Sequence, residues 1–193
     1  MPRYIPTLQI RNPKVMLELL ALGGLVTSKQ APRLMRGIIE SNNCYSTVGL
    51  LELHKEGSIK LSSKYLLHAA ETVERNASEL QWFCIAFACL PLGGSFKSMR
   101  LALLHKMFAL TLIQENADAA DADANDDLKK AADAFWSSKF HPEELKLLVE
   151  SVIQCDNPEF AIALLEANSK YQLEFTQDQL SRLAALAHEG PYL

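Results

Sequence analysis

The chain has 193 residues, of which 49% are hydrophobic, 22% charged and 8% aromatic, and its net charge is −4. This composition supports one domain-sized hydrophobic core or a short array of packed units, and it excludes disordered, collagen-like and disulfide-stapled chains. The charge is uneven, because residues 1–114 carry 13 Lys and Arg against 7 Asp and Glu, whereas residues 115–193 carry 6 against 16.

The first 36 residues are basic and interrupted by prolines. They contain six Arg or Lys residues and one acid, Glu18. A mitochondrial transit peptide has such a charge pattern, but Pro2, Pro6 and Pro13 break the amphipathic helix that it needs. Residues 1–12 are therefore also predicted as a basic, extended N-terminal segment of the folded protein, with mitochondrial location as the prediction for the chain.

Helix signals dominate from residue 13 onward, and strand signals are limited to short ambiguous runs such as Ile5–Ile10. The predicted helices are Pro13–Leu22, Pro32–Glu40, Tyr45–His54, Ser63–Arg75, Ser78–Cys89, Phe96–Gln114, Asp126–Trp136, Glu143–Gln154, Pro158–Lys170 and a helix that begins at Gln177. The pairs Gly23-Gly24 and Gly93-Gly94 predict turns, and Ser95 is predicted to cap the helix that follows the second pair. The predicted fold class is all-α.

Several predicted helices are apolar on more than one side. The first helix is apolar almost all round, which predicts an interior position. In the helix that begins at Pro158, Ile162 and Leu165 form a second apolar stripe beside the one that contains Leu164. A helix with two apolar stripes is expected to have neighbours on two sides, as in a stack of helical hairpins.

The helix starts near the C-terminus have explicit capping signals. Thr176 with Gln179 forms a predicted capping box. Asn157 precedes a proline at the first helical position, and His141 stands in the same relation to Pro142. These signals fix three helix starts.

The segment 115–127 separates the basic and acidic parts of the chain. Its only apolar residue type is alanine, and all its charges are negative. We predict a solvated surface loop, with an acidic recognition element as the alternative.

One repeat period is visible. Residues 141–148 align with residues 176–183 at an offset of 35, which pairs Leu145 with Leu180 and Leu148 with Leu183. One antiparallel pair of helices lies within this period. Over residues 141–189 the chain therefore resembles the pentatricopeptide repeat family, whose unit is a helical hairpin of this length. The resemblance implies that residues 1–193 form a single domain of hairpins stacked as a short right-handed α-solenoid, and an irregular helical bundle is the alternative.

No motif in the sequence indicates catalysis. The glycines near Lys97 lack the spacing of a phosphate-binding loop, and the histidines are too scattered for a metal site. The histidines are His54, His68, His105, His141 and His188, and the cysteines, predicted as free thiols in a reducing compartment, are Cys44, Cys84, Cys89 and Cys155. We predict no enzyme activity, no catalytic residue, no cofactor and no metal. The longest apolar run, Trp82–Leu92, is about half the ~20 residues of a membrane-spanning helix, so no membrane insertion is expected.

Two functions follow from these patterns. In its size, its short helical repeat and its basic N-terminus, the chain is similar to the pentatricopeptide-like subunits on the F1 catalytic head of mitochondrial ATP synthase in euglenozoan protists. That resemblance implies a structural subunit that binds a protein partner and has no nucleotide chemistry. The alternative, which the repeat family itself implies, is binding of single-stranded RNA in an organelle. In that case the phosphate contacts are expected from Lys29, Arg33, Arg36, Lys97 and Arg100.

Overall fold

The computed structural model describes residues 12–22, 29–115, 130, 132–137 and 140–188. Throughout these residues the chain is all-α and contains no strand, which confirms the predicted fold class. The predicted N-terminal segment lies outside the described residues except for Asn12, and the predicted acidic loop lies outside them except for Glu115. The Gly23-Gly24 turn also lies outside them.

The helix boundaries agree closely with the predictions. The helices are α1 (Pro13–Ala21), α2 (Ala31–Glu40), α3 (Cys44–Lys55), α4 (Ser63–Asn76), α5 (Leu80–Cys89), α6 (Lys97–Glu115), α7 (Pro142–Cys155), α8 (Pro158–Tyr171) and α9 (Gln177–His188). Residues 132–136 are also helical. Where a predicted helix is fully described, its ends lie within two residues of the prediction, because glycines, prolines and caps mark most of them.

The chain divides into two compact units. The first unit comprises Met1–Ser78 and Ile85–Leu90, and the second comprises Glu79–Cys84 and Pro91–Leu193. A single domain can contain two such units, so the single-domain organisation stays a prediction.

In the first unit, α1 packs against α2, α2 against α3, and α3 against α4. In addition, α1 contacts α3, and α2 contacts α4. This neighbour pattern is typical of stacked helical hairpins. The helices α1 and α3 begin at residues 13 and 44, and α2 and α4 at residues 31 and 63, which gives intervals of 31 and 32 residues. The first unit therefore has a repeated layout with a period shorter than 35 residues.

Two glycines allow α1 to lie close to its neighbours. A Cβ atom on Gly37 of α2 would lie 2.9 Å from Met16 Sδ, and one on Gly49 of α3 would lie 2.5 Å from Leu17 Cδ2. Side chains of α1 therefore fill the space that any side chain larger than glycine at position 37 or 49 would need. Val15 on the other side of α1 is exposed, so the predicted interior position of this helix is wrong. Neighbours cover only part of its circumference.

In the second unit, α7 contacts α6, α8 and α9, and α8 also contacts α9. The helices α7 and α9 begin at residues 142 and 177, which reproduces the predicted offset of 35 residues. In the aligned pair Leu148 and Leu183, both side chains are buried. In the other aligned pair, Leu145 is buried but Leu180 is only half-buried. The two aligned helix starts therefore have similar, though not identical, environments.

A cluster of aromatic side chains lies in the core of the second unit. The Phe108 ring makes edge contacts with Trp136 and Phe160, at centroid distances of 6.0 and 5.9 Å. Trp136 also stacks on Tyr171 of α8 at 6.2 Å. These contacts join α6, residues 132–136 and α8 around one cluster of rings.

All three predicted caps near the C-terminus are present, including Asn157, whose side chain accepts the Glu159 N–H at 2.9 Å. The Thr176 N–H donates to Gln179 Oε1 at 2.7 Å, and the Gln179 N–H donates to Thr176 Oγ1 at 3.3 Å. His141 caps α7 with its Nδ1 atom, which accepts the Glu143 N–H at 3.3 Å. Ser95 is different from the prediction, because it lies inside the 3-10 turn Gly94–Phe96 rather than at a helix cap.

The second apolar stripe of α8 is only partly covered. Leu164 is fully buried, but Ile162 is 41% exposed and Leu165 is half-buried. The prediction that this stripe has a helical neighbour is therefore wrong for Ile162.

Candidate functional site

The second unit presents a set of exposed carboxylates, here called the acidic surface, which lie on α8 and at the ends of α7, α8 and α9. Its members are Asp156, Glu159, Glu166, Glu174 and Asp178. No ion pair to any of them occurs within the described residues. Glu159 and Asp178 stand in first helical turns, where the helix dipole favours a negative charge.

Two lysines of this unit are bound to acids outside the acidic surface. Lys97 Nζ lies 3.3 Å from Glu143, and Lys170 Nζ lies 2.8 Å from Asp133. These contacts occupy the two lysines, so neither forms an ion pair with the acidic surface. The Asp133 carboxylate also accepts a hydrogen bond from Tyr171, and it raises the pKa of Lys170.

Arg182 and Glu150 form a bidentate pair between α9 and α7. Its two hydrogen bonds measure 2.5 and 3.0 Å, and they lower the pKa of Glu150. Lys146 also lies near enough to Glu150 to lower that pKa. The remaining described cations of this unit, Lys106 and Lys130, interact with other groups of the chain.

Arg100 of α6 and Glu144 of α7 form a buried ion pair, in which both side chains are 4% exposed. Arg100 donates hydrogen bonds of 2.5 and 3.1 Å, and the same carboxylate accepts the His141 N–H at 2.9 Å. Although burial disfavours the charged carboxylate, these hydrogen bonds hold the pKa of Glu144 below its usual range. The pair links two helices and completes the cap of α7.

These contacts correct part of the predicted set of phosphate-binding residues. The prediction that Arg100 contacts phosphate is wrong, because its side chain is buried against Glu144. Lys97 and Arg36 are exposed, but each is engaged by an acid, and Arg36 lies 2.6 Å from Glu40 on its own helix. Lys29 and Arg33 are exposed in the first unit. The sequence could not show this difference, because the partners of Lys97 and Arg100 are more than 40 residues away.

A serine and a histidine that the sequence analysis did not connect lie together in the second unit. His105 Nε2 is 3.0 Å from Ser151 Oγ, and that hydroxyl donates to the Leu147 carbonyl at 2.8 Å. The imidazole therefore donates its Nε2 proton to the serine, whereas activation of a nucleophile requires an imidazole that accepts the serine proton. Burial also lowers the pKa of His105, which favours the neutral ring.

The other histidines and the cysteines have local structural environments. His54 Nδ1 accepts the Leu61 N–H at 3.3 Å, and His188 stands in the last turn of α9. All four cysteines are free thiols, as predicted, and Cys155 is exposed. The Cys89 thiol donates to the Leu51 carbonyl, and burial raises its pKa to about 11. Within the described part of the chain, no cluster of three metal-ligating side chains occurs.

A cleft of about 670 Å³ in the first unit, here called the N-terminal cleft, opens between the starts of α1 and α3. It is lined by Asn12, Pro13, Lys14, Asn43, Tyr45 and Ser46. Asn12 and Asn43 are the N-caps of the two helices, and their side chains accept the N–H groups of Lys14 and Ser46 at 3.0 and 2.9 Å. The first turns of two helices therefore face one cavity.

Comparison with protein families, curated proteins and solved structures found no significant match to this chain. None of the helices in the described residues has the length and apolar character needed to cross a membrane.

Proposed function

We propose that the chain is a non-catalytic helical-repeat subunit that binds a protein partner through the acidic surface of its second unit. The observation that carries this proposal is the distribution of charges in that unit. Apart from the exposed Lys146, its described cations are engaged within the chain, whereas five exposed carboxylates have no ion-pair partner among the described residues. Such a surface is complementary to a basic protein surface.

The same distribution disfavours RNA binding by the second unit. A protein that holds a phosphate backbone needs Lys or Arg side chains free to displace counterions. Lys97 and Arg100 are instead bound to Glu143 and Glu144, so they are not free to bind phosphates. The negative charges of the acidic surface would also repel the phosphate backbone.

The helical framework suits a docking role. The Arg182–Glu150 pair and the ring cluster fix α7, α8 and α9 within the second unit. A partner therefore meets carboxylates on a preorganised surface, which reduces the conformational entropy lost on binding. Ile162, one helical turn from both Glu159 and Glu166, adds an exposed apolar contact to this surface.

A double charge reversal tests the proposal. Glu159→Lys with Glu166→Lys removes two carboxylates from the acidic surface, and the matched control, Glu18→Lys with Glu52→Lys, makes the same change in net charge at exposed positions of α1 and α3. We expect the first variant, tagged and expressed in its native cells, to lose its protein partner while the control retains it. Equal retention of the partner by both variants would contradict the proposal.

The more specific candidate partner is the F1 catalytic head of mitochondrial ATP synthase, and the proposed location is the mitochondrion. Support comes from the resemblance in size, helical repeat and basic N-terminus, together with a surface suited to docking. Comigration of the tagged chain with ATPase activity on a native gel is the expected result. A complex that lacks this activity would leave protein docking in place and reject this partner.

Single-stranded RNA is the second candidate, because the first unit has exposed cations. Lys29 and Arg33 lie at the start of α2, and Lys60 and Lys64 lie near the start of α4. A filter-binding titration at about 50 mM salt tests it, since phosphate contacts are strongest at low salt. Retention of RNA that Arg33→Gln reduces would favour this function, and no retention would remove it.

A further inference from the structure

The first unit repeats its structure at an offset of 31 residues, which is the interval between the starts of α1 and α3. The same offset pairs their helix caps, Asn12 and Asn43. It also pairs buried residues of α2 with buried residues of α4, namely Met35 with Leu66, Ile38 with Ala69 and Ile39 with Ala70. Since α2 and α4 contact each other, residues related by this offset occupy equivalent positions on neighbouring helices.

Four exposed cations, here called the basic ladder, follow this repeat. Lys29 is equivalent to Lys60 shortly before α2 and α4, and Arg33 is equivalent to Lys64 in the first turns of these helices. None of the four forms an ion pair with another described residue. The face formed by α2 and α4 therefore presents positive charges at repeated positions.

Helix formation and internal pairing do not account for the basic ladder. Arg33 and Lys64 stand in first turns, where the partial positive charge of a helix end disfavours a cation, and neither turn contains an acid. The acids of the two helices interact with other groups, Glu40 with Arg36 at 2.6 Å, Glu71 with Arg75 at 3.0 Å, and Glu74 with a further group of the chain. The ladder is therefore available to an acidic partner.

The acidic surface of the second unit has a matching arrangement of charges. Glu159 and Glu166 are seven residues apart on α8, which separates them by about 10 Å along the helix. Packed helices lie about 8–10 Å apart, so Arg33 and Lys64, at equivalent positions on neighbouring helices, are expected to have a similar separation. Two carboxylates can therefore meet two cations at once. Ile162 between them adds an exposed apolar contact that a protein surface can cover.

We propose that the basic ladder binds the acidic surface of a second copy of this chain. The inference rests on the proposed function, because it uses the same acidic surface and names a second copy as one of its occupants. Such a contact joins two different surfaces head to tail. Each added copy brings its own acidic surface, so the last copy keeps one for a further partner.

Single-stranded RNA fits the basic ladder less well than a second copy does. Proteins that bind single strands combine cations with aromatic rings on which bases stack. The Tyr65 ring beside Lys64 is half-buried, which leaves little of its surface for a base. The carboxylates of the acidic surface, in contrast, belong to the chain itself.

Sedimentation velocity of the purified full chain, measured over a range of protein concentrations, tests the proposal. At about 10 mM salt we expect a weight-average mass above 21.5 kDa that rises with concentration. At about 1 M salt the mass should return to 21.5 kDa, because exposed charges are then screened. A chain that stays monomeric at low salt would overturn the proposal.

Reversal of the basic ladder provides the first comparison. Arg33→Glu with Lys64→Glu should weaken self-association at least about tenfold while the chain stays folded, because acids suit a first helical turn. The matched control, Lys14→Glu with Lys55→Glu, makes the same change in net charge at exposed positions of α1 and α3. It should associate as the wild type does, and equal weakening of both variants would overturn the proposal.

Mixing two variants provides the second comparison. Glu159→Lys with Glu166→Lys reverses the acidic surface and should also stop self-association. An equimolar mixture of this variant with Arg33→Glu, Lys64→Glu should associate again, because each chain retains the surface that the other lacks. A mixture that remains monomeric would overturn the proposal.

Two further outcomes separate this inference from the proposed function. A chain that is monomeric when pure but retains its partner in native cells would overturn the inference and leave the proposed function in place. A monomeric chain that binds single-stranded RNA, and loses the RNA when the basic ladder is reversed, would overturn the inference and assign the ladder to RNA.

Discussion

The two units share a helical layout but differ in how charge is used. In the first unit, the helices α1 to α4 have no acid in their first turns, and lysines such as Lys14 and Lys64 are exposed. In the second unit, Lys97, Lys170 and Arg182 are engaged by acids, and five exposed carboxylates have no ion-pair partner among the described residues. One type of helix packing therefore carries exposed lysines in one unit and, in the other, exposed carboxylates without an ion-pair partner among the described residues.

The cores differ as well. The fully buried large side chains of the first unit include Ile38, Leu50 and Leu51, and α1 approaches its neighbours over two glycines. The second unit also buries aliphatic side chains such as Leu148 and Leu164, and it adds a ring cluster and the buried Arg100–Glu144 pair. These differences show that an aliphatic core and a core with aromatic and ionic contacts can both support the same helix-neighbour pattern. They also define mutations that should affect each unit in its own way.

The largest effect is expected from Glu144→Ala in the second unit. Removing one partner of a buried ion pair leaves the Arg100 charge without its carboxylate and should lower the free energy of unfolding by about 3–5 kcal/mol. Chemical denaturation followed by circular dichroism measures the loss. The control, Glu40→Ala, breaks the exposed Arg36–Glu40 pair of the first unit and should change stability by less than about 1 kcal/mol. Equal losses would contradict the contrast between the units.

An intermediate effect is expected from Gly49→Val in the first unit. The added carbons would overlap Leu17 Cδ2, so the Leu17 side chain must move from its place between α1 and α3, and the cost should be about 1–3 kcal/mol. Ala88→Val, at an exposed position of α5, introduces the same side chain without such a neighbour and should cost well under about 1 kcal/mol. Denaturant midpoints compare the two variants. A Gly49→Val protein as stable as the wild type would refute the close approach of α1 and α3.

A smaller effect, similar in both units, is expected from removal of helix caps. Thr176→Ala at α9 and Asn12→Ala at α1 each remove a side chain that accepts a first-turn N–H. Each should lower the melting temperature by an amount equivalent to about 1 kcal/mol. Scanning calorimetry measures both, with Ser63→Ala, at the first helical position of α4 rather than at its cap, as the control. A loss confined to one unit would show that the two helix starts are not equivalent.

The smallest effect concerns pH. Because burial lowers the pKa of His105 in the folded state, the unfolded chain binds more protons as the pH falls below about 6.5, and stability should decrease over that range. His105→Gln should reduce this slope while keeping a hydrogen-bond donor near Ser151. Unfolding free energies measured between pH 7.5 and about pH 5 test this expectation. An unchanged slope in the variant would contradict it.

The sequence predicts the helices well because their ends are local features. Pro13, Pro142 and Pro158 mark helix starts, and the Thr176–Gln179 capping box is readable within four residues. The 35-residue offset also holds, since it compares two such starts. Local signals of this kind need no knowledge of tertiary structure.

Tertiary contacts set the limit of these predictions. The pairing of Arg100 with Glu144 and of His105 with Ser151 joins residues 44 and 46 positions apart, and no spacing rule reveals it. Likewise, the exposure of Ile162 depends on which helices surround α8, and the unpartnered hydroxyl of Ser46 is recognisable only once α1 and α3 are placed together.

The central claim is that the chain functions as a protein-bound subunit. Native mass spectrometry of the endogenous assembly, purified at low salt and treated with RNase, tests it most directly. The account predicts that the chain remains in a complex heavier than its own 21.5 kDa and is released when the salt concentration is raised. A chain that is recovered alone at low salt, or that leaves its assembly when the RNA is digested, would contradict the claim.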